Sequence, residues 1–343
     1  MAHAIRIHEL GGPDVLTWEE IDVDSPGRGL ALVRQTAVGL NYIDVYHRTG
    51  IYPIPSLPAI IGNEAAGVVE AVGPGVTEVA VGDRVAYCMS LGSYTERRVI
   101  PARLLVRLPD SVTDQQAAAL MLKGCTVQYL LRRTYPVKRG EIILFHAAAG
   151  GCGLIACQWA KHLGATVIGT VSTPAKAELA KTRGCDHVII YTEENFVDRV
   201  KELTGGAGVP VVYDSVGKDT FSGSLDCLQP RGLMVSFGNS SGPVEPFSPG
   251  LLAAKGSLYL TRPTLVTYTR TREDLETTTR DLFDVVSRGV VTADINQRYA
   301  LKDAAKAHRD LEGRKTTGST VLLVEHLEEH YDVAQEQRSH RGR

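Results

Sequence analysis

Residues 141 to 171, EIILFHAAAGGCGLIACQWAKHLGATVIGTV, restrict the fold more than any other stretch of the chain. Ile142-Ile143-Leu144-Phe145 is an apolar run of the length of a buried parallel strand. A turn of small residues follows, Ala147-Ala148-Ala149-Gly150-Gly151-Cys152-Gly153. Leu154, Ile155, Cys157, Trp159, Ala160 and Leu163 then give a helix with a broad apolar face, closed by Gly164. Ala165-Thr166-Val167-Ile168 opens a second apolar run. Strand, glycine turn, helix and strand within about thirty residues make one βαβ unit. Glycine suits the turn because the backbone bends sharply there. It also leaves the helix amides open to a phosphate, whose charge the helix dipole favours.

The strict spacing G-x-G-x-x-G is not met. Ala148 holds the first place, and Gly150 and Gly153 hold the other two. Such a turn can be purely structural, but a strand before it and a helix after it point to a dinucleotide site. An NAD site places Asp or Glu about 20 residues beyond the glycines, on the ribose hydroxyls. Here that place reads Gly169-Thr170-Val171-Ser172-Thr173-Pro174-Ala175-Lys176, with no acid, two hydroxyls near its centre and a lysine. A 2′-phosphate requires a cation and hydroxyl donors and is repelled by a carboxylate. The stretch therefore predicts NADPH, with Lys176 as a solvated helix charge the plainer alternative.

The remainder of the 343 residues supports an α/β chain of two domains. Residues 1 to about 120 read as mostly β, with turns at Gly11-Gly12-Pro13 and Asp24-Ser25-Pro26-Gly27. Strands are expected at Ala31–Val38, Gly67–Val72 and Arg84–Tyr87. A helix capped by Thr113 or Asp114 runs from Gln115 to about Tyr135, broken near Gly124. Alternation then takes over: helix Lys176–Thr182, strand His187–Tyr191, helix Asn195–Leu203, strand Val211–Tyr213, helix Phe221–Leu228, strand Leu233–Phe237 and strand Ser257–Leu260. That order means a doubly wound parallel sheet. Helix Glu273–Arg288 and a strand Thr320–Val324 returning to the first domain complete the reading. Residues 325–343 are polar and are expected to be disordered. A net charge of −2 gives no pull toward nucleic acid or an anionic membrane. No run reaches the ~18 apolar residues of a membrane span, and no signal-peptide core opens the chain. Six scattered cysteines without C-x-x-C suit a reduced, cytoplasmic setting.

The chain resembles the quinone oxidoreductases, the zeta-crystallin-like branch of the medium-chain dehydrogenase/reductase superfamily. Several stretches up to about Val324 carry the resemblance: Asn41-Tyr42-Ile43-Asp44 with Tyr46, Arg48-Thr49-Gly50 and Tyr52-Pro53; Gly62-Asn63-Glu64-Ala65-Ala66-Gly67; Lys123-Gly124-Cys125-Thr126; the glycine turn, where Cys152 replaces the usual Val; Tyr213-Asp214-Ser215-Val216-Gly217; and Phe237-Gly238-Asn239-Ser240-Ser241-Gly242. It implies a GroES-like β domain (1–124 and 266–324) beside a Rossmann domain (125–265), with the site in the cleft. It also implies a homodimer joined along the edge strand near Ser257–Leu260, a sensible cover for an exposed apolar edge.

The resemblance further implies that Asn41 and Asn63 stand where zinc alcohol dehydrogenases carry a Cys and a His. Cys125 lies near a third ligand position, but one thiol makes no zinc site. No metal is therefore expected, and the acceptors that remain are already electrophilic: quinones, or α,β-unsaturated carbonyls. Asn41 is expected to hydrogen-bond an oxygen that gains charge, with Asp44 orienting it or capping a helix. Tyr46 and Tyr52 are candidates for a phenol that donates, or that packs in the cleft. For NADPH, Gly150, Gly151, Cys152 and Gly153 belong at the pyrophosphate, and Ser172, Lys176 and Tyr191 at the adenosine phosphate. Phe237, Gly238, Asn239 and Ser240 belong at the nicotinamide half, with Ser215 a cleft contact and Tyr129 and Arg262–Thr264 weaker candidates. Lys123 reads as a structural residue of the domain junction. An enone or alkenal reductase is the alternative enzyme. A non-enzymatic NADPH-binding or AU-rich RNA-binding protein is the alternative outside enzymes, disfavoured by the charge and by the short basic tail Arg338–Arg343.

Overall fold

Leu30–Leu40 alternates between buried and half-buried positions along most of its length and then becomes fully buried, so it starts on a sheet surface and ends under other elements. In the computed structural model, which describes residues 1–324, this strand is central to a seven-stranded sheet. It pairs antiparallel with Glu64–Val72, with Arg97–Pro101 and with Ser319–Leu323. The C-terminal strand thus returns to the first sheet, with Thr320 opposite Leu40. Ala2–Ile7, Thr17–Ile21 and Ala59–Ile60 form a second, three-stranded sheet. Helix α1, Tyr42–Thr49, follows the central strand directly and stops at Gly50, whose φ of 82° suits glycine. The expected disorder of 325–343 lies outside the described residues.

Helix α2, Asp114–Tyr129, is capped by Thr113, whose hydroxyl accepts from the amide of Gln116. Past its half-buried first turn nearly every residue is buried, the polar Lys123, Thr126 and Gln128 among them, so the helix shows no single apolar face. The expected break near Gly124 does not occur: α2 runs through to Tyr129 and continues as a wider turn over Leu130–Thr134. Gly124 is instead a packing position, since a Cβ there would come within 2.5 Å of Leu282 on the helix Arg272–Ser287.

The alternating half forms a six-stranded parallel sheet. Its spatial order is His187–Ile190, Thr166–Val171, Ile142–Phe145, Val209–Asp214, Leu228–Ser236, Tyr259–Thr261. The order reverses between Ile142–Phe145 and Val209–Asp214, and in such sheets ligands bind outside the carboxyl ends of the strands at that point. Helix α3, Gly151–Leu163, and helix α4, Pro174–Thr182, follow the first two strands in sequence. The edge strand starts later than Ser257, at Tyr259, because Ser257 has a φ of 56° and cannot continue a strand.

Candidate active site

Gly150 begins α3 without a side-chain cap, and no acid occupies the first turn. By contrast α4 is capped by Thr173, whose hydroxyl accepts from the amide of Lys176. The opening amides of α3 are thus left for an outside acceptor at the switch point. The turn is tight: a Cβ on Gly153 would lie 2.3 Å from the carbonyl oxygen of Ala147, and one on Gly151 would lie 2.6 Å from Cδ of Lys123. Gly318, at the start of the returning strand, donates its amide to the carbonyl of Ala149 at 3.1 Å. Cys152 lies on the first turn of α3, and burial pushes its thiol up to about 11.

The adenosine-side candidates sit at the ends of two neighbouring strands. Ser172 follows Thr166–Val171, and its carbonyl accepts from the hydroxyl of Thr192 at 3.0 Å; the exposed Tyr191 donates its amide to Val171. Lys176, one turn into α4, donates from Nζ to the carbonyl of Arg314 at 3.1 Å. Lys176 and Arg314 are close enough for Arg314, with burial the larger cause, to lower the lysine pKa. Arg314 escaped the sequence reading. The run Gly313-Arg314-Lys315 is a visible basic cluster, but nothing local places it beside α4.

Phe237, Gly238, Asn239 and Ser240 leave the strand Leu228–Ser236 on the other side of the switch point. Phe237 donates its amide to the carbonyl of Asp214, and Ser240 to that of Ser215. A Cβ on Gly238 would meet the Ser215 carbonyl at 2.6 Å, so these two loops are in direct contact. Asp214 is fully buried and ties its own loop: Oδ1 accepts from the amides of Val216 and Gly217, and Oδ2 from Thr220 and Ser224.

The facing wall comes from α1 and the strands before and after it. Asn41 precedes α1 and donates from Nδ2 to Oε2 of Glu64 at 2.7 Å. Glu64 is completely buried, accepts from the amide of Leu122 at 2.6 Å and lies 3.5 Å from Nζ of Lys123. Gly39 leaves room for this carboxylate, since a Cβ there would lie 2.4 Å from Oε2. Asp44 points inward rather than into the cleft. Its carboxyl accepts from the Asn41 amide, from Nδ2 of Asn63 and from the Tyr94 hydroxyl. Burial nevertheless pushes it up to about 7. Behind it, Arg48 must donate to Nδ1 of His308, so Nε2 of this neutral histidine carries hydrogen and donates to Tyr94 at 2.9 Å. Burial, helped by Arg48, lowers His308 to about 3 and keeps it neutral.

Two tyrosines bridge the walls. The amide of Asn239 donates to Oη of Tyr46 at 3.0 Å, and Arg262 donates to Oη of Tyr52 at 3.0 Å. The rings meet edge to face, centroids 5.1 Å apart. Burial pushes Tyr46 up to about 12, so it keeps its proton at neutral pH, and its own O–H is left to donate. Tyr129, buried on α2, stacks on Tyr268 at 4.5 Å, and its hydroxyl is near enough to Cys152, Arg262 and Tyr52 for all three to act on its titration, though burial is the main cause that raises it. Asn41, Tyr46, Tyr52, Asn239 and the start of α3 are brought to one cleft; Asp44 stands behind it; Lys176 and Tyr191 lie at its far end.

A zinc-binding dehydrogenase domain model matches residues 151–284, and an alcohol dehydrogenase GroES-like domain model matches residues 27–110. The chain is 56% identical to a quinone oxidoreductase of Pseudomonas aeruginosa, over 94% of this chain and 100% of that protein. It is 49% identical to a 2-haloacrylate reductase of Burkholderia sp, over 94% and 99%. The crystal structure of Escherichia coli quinone oxidoreductase complexed with NADPH superposes with a TM-score of 0.93 at 52% identity, covering 94% of this chain and all of that one.

Proposed function

The chain belongs to the quinone oxidoreductase family of medium-chain dehydrogenases, and from that premise we propose that it is an NADPH-dependent quinone reductase acting in the cleft between its two main sheets. The observation that carries the reading is the uncapped start of α3 at the switch point, faced across the cleft by Asn41, Tyr46 and Tyr52. The residues fit NADPH. Gly151, Cys152 and Gly153 would receive the pyrophosphate on the opening amides of α3, with Gly150 shaping the turn before them, its own amide given to the Ala147 carbonyl. Ser172, Lys176, Tyr191 and the newly placed Arg314 would hold the 2′-phosphate, with no acid nearby at the strand end to repel it. Ser215 and Phe237–Ser240 would border the nicotinamide, with Tyr129, near Cys152 and Tyr52, beside them.

Bound NADPH supplies a hydride from C4 of its dihydronicotinamide. The protein's part is positioning and charge. Tyr46, held at Oη by the Asn239 amide, presents its O–H to the acceptor and fixes it against the cofactor loop. Tyr52, held by Arg262, closes the mouth of the cleft. Asn41 is oriented by Glu64, which leaves its second amide hydrogen for the acceptor oxygen; the long 3.5 Å contact to the Gly39 carbonyl competes only weakly. Asp44 holds the backbone of Asn41 in place. The reduced quinone takes its proton from water.

The reading is zinc-free. Asn41 and Asn63 each give their side-chain amide to a buried carboxylate, Glu64 and Asp44, which suits an acceptor that needs no Lewis acid. The catalytic domain is taken as 1–124 with 266–324, and the Rossmann domain as 125–265. We place the protein in the cytoplasm as a homodimer that engages neither nucleic acid nor membrane; among the described residues no helix is long and apolar enough to cross a bilayer.

The test is turnover of NADPH and of NADH against 1,4-benzoquinone, a simple enone and 2-chloroacrylate. Benzoquinone should be the best acceptor, and NADPH should bind at least tenfold tighter than NADH, about 1.4 kcal/mol. Lys176→Ala should weaken NADPH and leave NADH nearly unchanged. A clear preference for the haloacrylate or enone would move the function to the alkene reductases of this scaffold.

A further inference from the structure

Glu64 orients Asn41, but the buried cation paired with it, Lys123, is not needed for that hydrogen bond. The Lys123 side chain is 9% exposed and that of Glu64 fully buried, with Nζ and Oε2 3.5 Å apart. Nζ also donates to the carbonyl of Leu40 at 3.2 Å. An ammonium has three hydrogens, and among the described residues the third meets no acceptor. The lysine stem lies across the start of α3: a Cβ on Gly151 would come 2.6 Å from Cδ and 2.8 Å from Cε. The cation therefore stands where the Asn41 wall meets the glycine turn. A buried pair of this kind is a poor source of stability, since apolar residues of equal volume do as well.

We propose that Lys123 is the fixed positive charge of the site, held by Glu64 beside Asn41 and facing the oxygen on which the acceptor gathers negative charge. This rests on the quinone-reductase reading. In that reaction the C4–H bond of NADPH breaks with its electron pair, and an O–H bond forms at one quinone oxygen. The electrons shift around the ring to the second oxygen, which is negative until it takes a proton from water. A preformed cation stabilises that charge without reorganising. Glu64 alone would oppose it, but its carboxylate is already engaged by Asn41, Leu122 and Lys123.

The experiment compares Lys123→Met, Lys123→Arg, Glu64→Gln and the double variant Lys123→Met/Glu64→Gln. Each is assayed with 1,4-benzoquinone and with NADPH deuterated at the transferred position, and nucleotide fluorescence measures NADPH affinity. Lys123→Met strands a buried carboxylate and risks misfolding, so the double variant decides. The double variant should show kcat at least tenfold below Glu64→Gln, a larger isotope effect on kcat, and NADPH affinity within threefold of wild type; Lys123→Arg should keep part of the rate. A double variant as active as Glu64→Gln would mean that Lys123 only neutralises Glu64, and overturns the proposal alone. A wild-type protein that turns over no quinone overturns the quinone reading and this proposal together.

Discussion

Asn41 and Tyr46 differ in what their neighbours leave them. Asn41 gives one amide hydrogen to Glu64, so only the other can reach a substrate. Losing a fully preorganised donor costs on the order of 3 kcal/mol, and a half-engaged amide in a cleft open to water should cost less. Asn41→Ala should lower kcat with benzoquinone by about tenfold and leave NADPH affinity nearly unchanged. An unchanged kcat, measured where hydride transfer limits the rate, would remove Asn41 from the site. Tyr46→Phe strands the Asn239 amide as well as removing a donor, so it should raise the quinone KM and weaken NADPH by about 1 kcal/mol. Asp44 belongs to stability. Its folded pKa of about 7 exceeds the ordinary aspartate value of 3.8, chiefly through burial. The native state therefore holds the extra proton between those values. The stabilising contribution is full below the unfolded pKa and is lost as pH rises through about 7, at up to roughly 1.4 kcal/mol per pH unit. Unfolding free energy plotted from pH 4 to 8 should fall less steeply for Asp44→Asn than for wild type; parallel curves would show that this carboxyl titrates as it does unfolded.

At the scale of elements, α3 depends on Gly153 more than on Gly151. The Cβ of Gly153→Ala would meet backbone on both sides, the Ala147 carbonyl at 2.3 Å and Ala148 at 2.6 Å, and neither can step aside. The first obstacle at Gly151 is the flexible stem of Lys123. Gly153→Ala should cost about 1–3 kcal/mol and lower Tm by several degrees. Gly12→Ala, where nothing lies within 4 Å, should fall within about 0.5 kcal/mol of wild type. Equal melting curves for the two variants would show that the turn relaxes. Helix α1 marks the opposite limit of sequence reading. Its eight residues are shorter than the window in which a helical period can be read, and only the Asn41 and Asp44 spacing hints at its start.

Among the described residues the open parallel sheet ends on two edge strands, His187–Ile190 and Tyr259–Thr261. Tyr259 is 62% exposed on the edge strand Tyr259–Thr261, and an open edge is a template for pairing. If two copies join there, Tyr259→Asp should shift sedimentation toward the monomer. Unchanged sedimentation of a dimeric wild type would place the interface elsewhere.

Local pattern was enough for the parallel sheet, because each strand is a short apolar run between turn residues and each crossover helix carries its own period. The same local chemistry marked the glycine turn and the missing acid after the second strand. The unbroken course of α2 past Gly124 was decided by a distant partner, Leu282, whose bulk makes glycine a packing requirement instead of a break. The tertiary fold alone joined Lys176 to Arg314, 138 residues on, and Tyr46 to Asn239, 193 residues on. It also gathered Asn41, Glu64 and Lys123 from three separate elements around one buried charge. Sequence periodicity records which face of an element is buried; it carries no record of which distant polar groups meet there, and the candidate site is made of those meetings.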